Sequence, residues 1–261
     1  KIYPSHIGIK EKIIDISIET ENYVMAIDYF SNIPDEFLIY EDKLTLLGLY
    51  MITEDYPSAY KLSRDLYGIN TTDPQLLEII FISLLNIGDN NSLSELYSIA
   101  KKIVTQYPKL SVGYEALATL YIMEEEYKNA LSILLEGQNI SDDIEGITFQ
   151  LGIVYDYMDN KEKSLESFRW AYDSNPKDYS FMSSLAMAYN SDKQYEMCDT
   201  IYEDYIANHS SNEALNDYAY LLSDREGINK EQLLNALKMS FRVVENNMHD
   251  EAYLDTVGWI Y

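Results

Sequence analysis

Apolar residues along the chain recur at the spacing of amphipathic helices, in stretches that come in pairs. Between residues 111 and 142 the two stretches run from Tyr114 to Ile122 and from Tyr127 to Leu135, and the polar run Glu124-Glu125-Glu126 lies between them. A recurrence near 3.6 residues predicts an α-helix, whereas a half-buried strand would alternate with a period of two. The pattern therefore predicts a helix, a short turn and a second helix, with essentially no strand.

The helix pairs repeat with a fixed period. Small residues at one position and aromatic residues three positions later each recur at intervals of 34 residues. These two sets are Ala118, Gly152 and Ala186, and Tyr121, Tyr155 and Tyr189. A second group with the same spacing comprises Ala130, Ser164 and Cys198, then Leu134, Phe168 and Tyr202. A period of about 34 residues is typical of solenoids built from paired helices.

The small residues have a steric explanation. Where the two helices of a pair cross most closely, Ala118 or Gly152 allows the backbones to approach, and a residue as large as Leu would hold them apart. Large side chains such as Tyr121 and Leu134 are expected to fill the space beside that contact. Pro176 ends a second helix because it has no N–H and disfavours a helical residue before it.

These residues resemble the tetratricopeptide repeat pattern, in which a large aromatic, Leu-Gly or Leu-Ala, Tyr, Ala, Phe, Ala and Pro stand at fixed offsets. One unit matches this pattern with Tyr114, Leu117-Ala118, Tyr121, Tyr127, Ala130 and Leu134. The next unit matches it with Leu151-Gly152, Tyr155, Phe168, Ala171 and Pro176, although Thr148 replaces the first aromatic residue. The resemblance implies an all-α fold, a right-handed superhelical solenoid of about seven antiparallel helix-pair repeats.

The repeat register extends over residues 1–261, which are expected to form a single solenoid. The best-matching repeats are 77–110, 111–144, 145–178 and 179–212, and looser repeats cover 7–40, 41–76 and 213–249. In the last of these, the segment Ser223 to Lys230, with Gly227, predicts a longer turn between the two helices. Residues 250–261 are expected to be a truncated repeat, so the chain is interpreted as part of a longer protein.

The end of the chain also bears on its source. The segment from Ala214 to Tyr261 resembles the C-terminal repeats of bacterial tetratricopeptide proteins, which suggests a bacterial source. The start, Lys1-Ile2-Tyr3-Pro4, lacks an initiator Met and a signal-like apolar core. With Cys198 as the only cysteine, no internal disulfide can form. Redox chemistry therefore does not distinguish a periplasmic or cell-envelope location from a cytoplasmic one.

The charge balance narrows the choice of partner. The 261 residues include 44 Asp and Glu against 19 Lys and Arg, a formal net charge of −25. Nucleic acids and anionic membrane surfaces are therefore among the least favoured partners. The acidity also has a simpler interpretation, a solvated coat that keeps an elongated protein soluble. The longest strongly apolar run, Leu76 to Ile87, is about a dozen residues long, well short of the roughly 20 that span a bilayer.

No residues are predicted to carry catalysis, a metal or a cofactor. The three histidines are far apart, and none has a second His or a Cys within helical reach. They are His6, His209 and His249. Cys198 occupies a small-residue position, where packing is the expected role. The acidic groups Asp142-Asp143 and Glu124-Glu125-Glu126 fall in predicted turns, and no phosphate loop, nucleophile elbow or His-Glu-x-x-His helix occurs. We therefore predict that the chain is not an enzyme.

The resemblance also implies a concave groove, lined by first helices, that holds a peptide or a partner's surface. Residues one position after the small packing residue should point into it, as should those one helical turn earlier. The first set is Thr119, Ile153, Met187 and Tyr220, and the second is Glu115, Phe149, Ser183 and Asn216. The groove is thus expected to be apolar with polar flanks. It lacks the basic residues with which one subgroup of the family binds chaperone tails.

We therefore expect a protein–protein interaction scaffold, whose partner is a peptide or protein with apolar anchors and flanking basic residues. A bacterial cell-envelope or secretion assembly is one setting for such a scaffold. The partner could instead use the convex face or the inter-repeat turns. Two structural roles remain as alternatives, a self-associating spacer and the non-catalytic arm of a larger enzyme.

Overall fold

The computed structural model describes residues 7–20, 22–89, 91–246 and 251–260. Within these ranges the chain forms fifteen α-helices and one 3-10 helix (Asp35–Phe37), with no strand. The α-helices are α1 (Ile7–Glu19), α2 (Tyr23–Ser31), α3 (Tyr40–Ile52), α4 (Tyr56–Ile69), α5 (Pro74–Ile87), α6 (Leu93–Gln106), α7 (Ser111–Met123), α8 (Tyr127–Ile140), α9 (Glu145–Tyr157), α10 (Lys161–Ser174), α11 (Tyr179–Ser191), α12 (Tyr195–His209), α13 (Asn212–Ser223), α14 (Lys230–Asn246) and α15 (Glu251–Ile260). The prediction of an all-α helical repeat fold is confirmed.

Within each of the two units into which the chain divides, the helices from α1 to α7 and from α9 to α15 pack mainly against their neighbours in sequence. Contacts divide the chain into an N-terminal unit, residues 1–125 and 139–143, and a C-terminal unit, residues 126–138 and 144–261. In the N-terminal unit consecutive helices from α1 to α7 pack in turn, and α5 also touches α7. In the C-terminal unit consecutive helices from α9 to α15 pack in turn, and α13 also touches α11 and α15. Nearest-neighbour packing is typical of repeat proteins, because each repeat buries its apolar face against the next.

Small residues lie where helices of the C-terminal unit approach most closely. Gly152 on α9 faces the ring of Phe168 on α10, and an added Cβ would lie 2.6 Å from two of the ring carbons. Ala186 and Ala219 are fully buried at the same position of α11 and α13. The close approach at Gly152 agrees with the steric explanation for a small residue at this position.

Most turns between paired helices share one tight conformation. Three-residue turns follow α3, α7, α9 and α11, and the middle residue of each has a left-handed backbone. These residues are Glu54, Glu125, Asp159 and Lys193, with φ of 57°, 59°, 56° and 59°. In the turn after α9, the N–H of Asn160 donates to the carbonyl oxygen of Tyr155 at 2.8 Å. Within each unit such short turns return the chain antiparallel to the preceding helix.

Two helix pairs depart from this pattern. The turn between α13 and α14 runs from 224 to 229, with Gly227 at φ 80°, which confirms the longer turn predicted there. The turn between α5 and α6 runs from 88 to 92, and α5 begins at Pro74 beside its cap Asp73. The repeat boundary expected at 76/77 therefore falls inside α5, three residues after its start. From the start of α5 to the start of α7 this pair is three residues longer than the 34-residue period, and counting back in steps of 34 does not include the extra residues.

A buried charge anchors the long turn between α13 and α14. The guanidinium of Arg225 pairs with the carboxylate of Asp199 on α12 at 2.6 Å. Its Nε donates to the side-chain oxygen of Asn190 on α11 at 3.0 Å, and the guanidinium lies 4.7 Å from the centre of the Tyr195 ring. The turn is thus tied to both helices of the preceding pair, and the periodic pattern gave no sign of this contact.

Candidate partner-binding surface

The predicted groove residues occupy fixed places on the first helices of the pairs. They are the fifth and ninth residues of α7, α9, α11 and α13, counted from each helix start. Residues four apart on a helix lie one above the other on the same face. Glu115 and Thr119 lie in the N-terminal unit, and the other six lie in the C-terminal unit. We call the fifth and ninth positions the first-helix surface of each unit.

Phe149 and Ile153 contribute to the core as well as to this surface. Both are partly buried and pack against the main apolar cluster of the C-terminal unit. The ring centre of Phe149 lies 4.9 Å from that of Phe181 on α11 and 5.7 Å from that of Phe168 on α10. Distances of this size are those of stabilising aromatic pairs. A substitution at Phe149 would therefore change folding stability as well as any binding.

The next two helices present the more accessible part of the first-helix surface. Met187 on α11 and Tyr220 on α13 are exposed, at 53% and 43%. Ser183 donates its hydroxyl hydrogen to the backbone oxygen of Ser180 at 3.3 Å. The side-chain oxygen of Asn216 is buried and has no hydrogen-bond partner among the described residues. The structure thus places an apolar row beside a polar row, with Asn216 able to accept a hydrogen bond.

Trp259 extends the first-helix surface, although it was not among the residues predicted from the sequence. It is the ninth residue of α15, it is 63% exposed, and its ring centre lies 6.2 Å from that of Tyr220. The fifth residue of α15 is Asp255, also exposed. The signal was present, because Gly258 occupies the small-residue position just before Trp259. The ninth positions of α11, α13 and α15 therefore carry Met187, Tyr220 and Trp259 in succession.

On α5 and α7 of the N-terminal unit, the fifth position of the first-helix surface carries a glutamate. Burial raises the pKa of Glu115, and the nearby carboxylates of Asp143 and Glu78 raise it further, against a hydrogen bond from Ser111 that lowers it. Burial also raises the pKa of Glu78, the fifth residue of α5. Thr119 donates its hydroxyl hydrogen to the backbone oxygen of Glu115 at 2.9 Å. Glu78 was not predicted because the repeat was expected to begin at residue 77, three residues after the actual start of α5.

The described residues contain no group of three or more His, Cys, Asp or Glu side chains that could hold a metal ion. Burial raises the pKa of the Cys198 thiol to about 11, so the thiol stays protonated and packs as a small apolar group. His209 packs its ring 4.5 Å from that of Tyr205. His6 and His249 lie outside the described residues. In the part of the chain that the structure describes, every helix is too short or too polar to cross a membrane.

Comparison with known proteins gives the class of fold. No protein-family model and no curated protein sequence matches the chain. Among solved structures, a thermophilic tetratricopeptide repeat protein of Thermus thermophilus is 20% identical at a TM-score of 0.62, with 70% of this chain and 98% of that chain covered. A tetratricopeptide repeat protein of Parabacteroides merdae is 12% identical at a TM-score of 0.64, with coverages of 96% and 98%.

A third match is the human IFIT1 dimer, solved with m7Gppp-AAAA. It is 11% identical at a TM-score of 0.70, and the match covers 92% of this chain and 58% of that one. At such low identities these likenesses establish the fold. The chain has the tetratricopeptide repeat fold, as its sequence pattern predicted.

Proposed function

We propose that the chain is a non-catalytic scaffold for protein–protein interaction, and that it binds a segment of its partner along the first-helix surface. One observation carries the proposal. Met187, Tyr220 and Trp259 are large, exposed and apolar, and they lie in register on successive first helices of the C-terminal unit. Exposed apolar side chains grouped in this way are typical of binding sites, and Tyr and Trp are the residues most often central to them.

Charge supports a partner segment with apolar anchors and flanking Lys or Arg. The net charge of −25 attracts basic segments and speeds their association. In the N-terminal unit, a cation near Glu78 and Glu115 would offset the cost of burying their carboxylates. The same charge disfavours nucleic acid as the partner, although human IFIT1 with the same fold was solved with m7Gppp-AAAA.

We propose further that the helix pairs from α1–α2 to α13–α14 are the repeats of one array spanning residues 1–261, with α15 opening an eighth. The third pair then begins at Pro74 and not at residue 77.

We also propose that the chain acts within a bacterial cell-envelope or secretion assembly. The support for a bacterial setting is the resemblance of residues 214–261 to bacterial repeats, and two of the structural matches are bacterial proteins.

The test uses a double substitution, Met187→Ser with Tyr220→Ser, because both side chains are exposed and their loss should leave the helices intact. A partner is first captured with the wild-type chain and identified, and its affinity is then measured by calorimetry with purified components. We expect the double variant to bind at least about tenfold more weakly, as the loss of central anchors does in other interfaces. Higher salt should weaken the wild-type complex.

The matched control is Met197→Ser, which removes a Met of similar exposure (45% against 53% for Met187) from α12, off the first-helix surface. It should bind like the wild type. Undiminished affinity of the double variant would show that the partner uses another surface. Light scattering over a range of concentrations addresses the spacer alternative, since a constant monomer mass would contradict self-association.

A further inference from the structure

Tyr220 and Trp259 form an aromatic pair on the first-helix surface of the C-terminal unit. Their ring centres lie 6.2 Å apart with the ring planes tilted by 40°, and both side chains are exposed. A flat group held between two rings needs ring centres about 7 Å apart, twice the optimal separation of two atoms. A ligand of this pair therefore packs on its open surface and not between the rings.

A carboxylate lies beside the aromatic pair. Asp255 is exposed and precedes Trp259 by four residues on α15, so the two side chains share one face of the helix with their Cβ atoms about 5–6 Å apart. Among the described residues, no Lys or Arg pairs with Asp255, and none lies over the ring of Tyr220 or Trp259. The rings and the carboxylate can thus bind a cation from outside the chain.

The chain holds one of its own cations with the same combination of groups. The guanidinium of Arg225 lies over the ring of Tyr195 and pairs with the carboxylate of Asp199. Tyr195 and Asp199 are also four residues apart on one helix, α12, although the aromatic residue comes first there. An aromatic ring and a carboxylate at this spacing can therefore bind one guanidinium together.

Arginine fits this combination better than lysine does. The guanidinium of Arg64 also lies over a ring, 5.5 Å from the centre of Tyr60, and pairs with Glu95 at 2.9 Å. Among the described residues no lysine does both, since those that pair with a carboxylate lie over no ring and those over a ring pair with no carboxylate. A planar guanidinium can stack on a ring while its edge donates hydrogen bonds to a carboxylate, whereas an ammonium is a compact, strongly hydrated charge.

We propose that Tyr220, Trp259 and Asp255 form a subsite for an arginine side chain of the partner segment. Its guanidinium packs on the aromatic pair, mainly on Trp259, which is the strongest cation–π partner among the aromatic side chains, and it pairs with the carboxylate of Asp255. The proposal rests on the proposed function, because it assigns a specific residue of the partner to one end of the first-helix surface. The net charge of −25 favours the approach of such a cation.

The experiment is an NMR titration that needs no partner protein. The probes are N-acetyl-argininamide, N-acetyl-lysinamide with the same charge, and N-acetyl-citrullinamide, a neutral analogue of the arginine probe, all at constant ionic strength. We expect a saturable shift of the Trp259 indole N–H with the arginine probe, and binding about two- to fivefold weaker for each of the other two. The chain has two tryptophans, and the indole N–H of Trp170, identified with Trp170→Phe, should not shift. The absence of a saturable Trp259 shift with the arginine probe, or equal affinity for all three probes, would overturn the proposal.

Two variants separate the carboxylate from the rings. Asp255→Asn keeps the shape of the side chain and should abolish the preference for the arginine probe over the citrulline probe. Trp259→Leu should weaken binding of the arginine probe about two- to fivefold, measured on the backbone amides of α13 and α15. Asp173→Asn is the control, since it removes the same charge from an exposed position on α10, off the first-helix surface. An equal effect of Asp173→Asn and Asp255→Asn would reduce the binding to a general effect of charge and refute the subsite.

Failure of this proposal is distinguishable from failure of the proposed function. If the arginine probe does not bind while Met187→Ser with Tyr220→Ser still weakens the captured partner, the first-helix surface stands and the arginine subsite is wrong. If the double variant binds the partner with undiminished affinity, both are wrong. With the captured partner, Asp255→Asn should lower the affinity about two- to fivefold, and an unchanged affinity would contradict the use of the subsite.

Discussion

Gly152 offers a sharp test of how closely the helices pack. In the interior of a helix, replacing Gly by Ala ordinarily stabilises a protein by about 1 kcal/mol, because Ala loses less backbone freedom on folding. Gly152→Ala should do the opposite. The added methyl group would lie 2.6 Å from Cδ1 and Cε1 of Phe168, about 1 Å inside the optimal separation of two carbon atoms.

The magnitude follows from what Phe168 can do in response. Its side chain is buried, and its ring centre is 5.7 Å from that of Phe149, so it cannot move without displacing a second ring. Overpacking of a core costs about 1–3 kcal/mol. After subtracting the helical gain of about 1 kcal/mol, we expect Gly152→Ala to destabilise by up to about 2 kcal/mol. Gly152→Leu, which adds more atoms, should cost more.

The measurement is urea unfolding followed by circular dichroism, and two other glycines provide matched controls. Gly48 on α3 and Gly258 on α15 have no atom within 4 Å of an added Cβ. Gly48→Ala and Gly258→Ala should therefore stabilise by about 0.5–1 kcal/mol. Phe168→Leu should reduce the penalty of Gly152→Ala, since it removes ring atoms at the contact. If Gly152→Ala stabilised the protein as much as Gly48→Ala, the close crossing of α9 and α10 would be refuted.

Two further predictions concern charged groups. The pKa of Glu115 is raised above its ordinary 4.5 in the folded state. The folded protein therefore holds the carboxyl proton of Glu115 more tightly than the unfolded chain does, and it loses stability as pH rises from about 4.5 through the folded pKa. Glu115→Gln should therefore stabilise the protein at pH 7 and have little effect at pH 4 in thermal unfolding. Arg225→Leu should destabilise by about 3–5 kcal/mol in urea, because it leaves Asp199 partly buried without its cation; a loss below about 1 kcal/mol would contradict that role.

Much of the fold could be predicted because a small residue recurs at the same position of the first helices from α7 to α13. Ala118, Gly152 and Ala186 are 34 residues apart, and this interval predicts where the helices lie. The register failed at α5, where a five-residue turn and a longer helix add three residues. Turn length is set by local backbone geometry, and a hydrophobic period carries no information about it.

The candidate surface was less predictable than the fold. Trp259 followed from the register once Gly258 was placed at the eighth position of a first helix, and Glu78 followed once α5 was placed correctly. The contacts of Arg225 could not be inferred, since they join a turn to residues of two helices, α11 and α12, and the approach of the turn to these helices depends on tertiary packing.

The helical period does not by itself separate binding residues from core residues. Phe149 and Met187 belong to the first-helix surface, yet Phe149 packs between Phe168 and Phe181 while Met187 is more than half exposed. Replacing Phe149 and Ile153 by Ser would remove buried apolar surface at a cost of several kcal/mol, so weaker binding of that variant could reflect a loosened fold. Met187 and Tyr220 reduce this ambiguity, because 53% and 43% of their surfaces remain exposed in the free chain. A loss of affinity in Met187→Ser with Tyr220→Ser, at unchanged unfolding free energy, would therefore report on recognition alone.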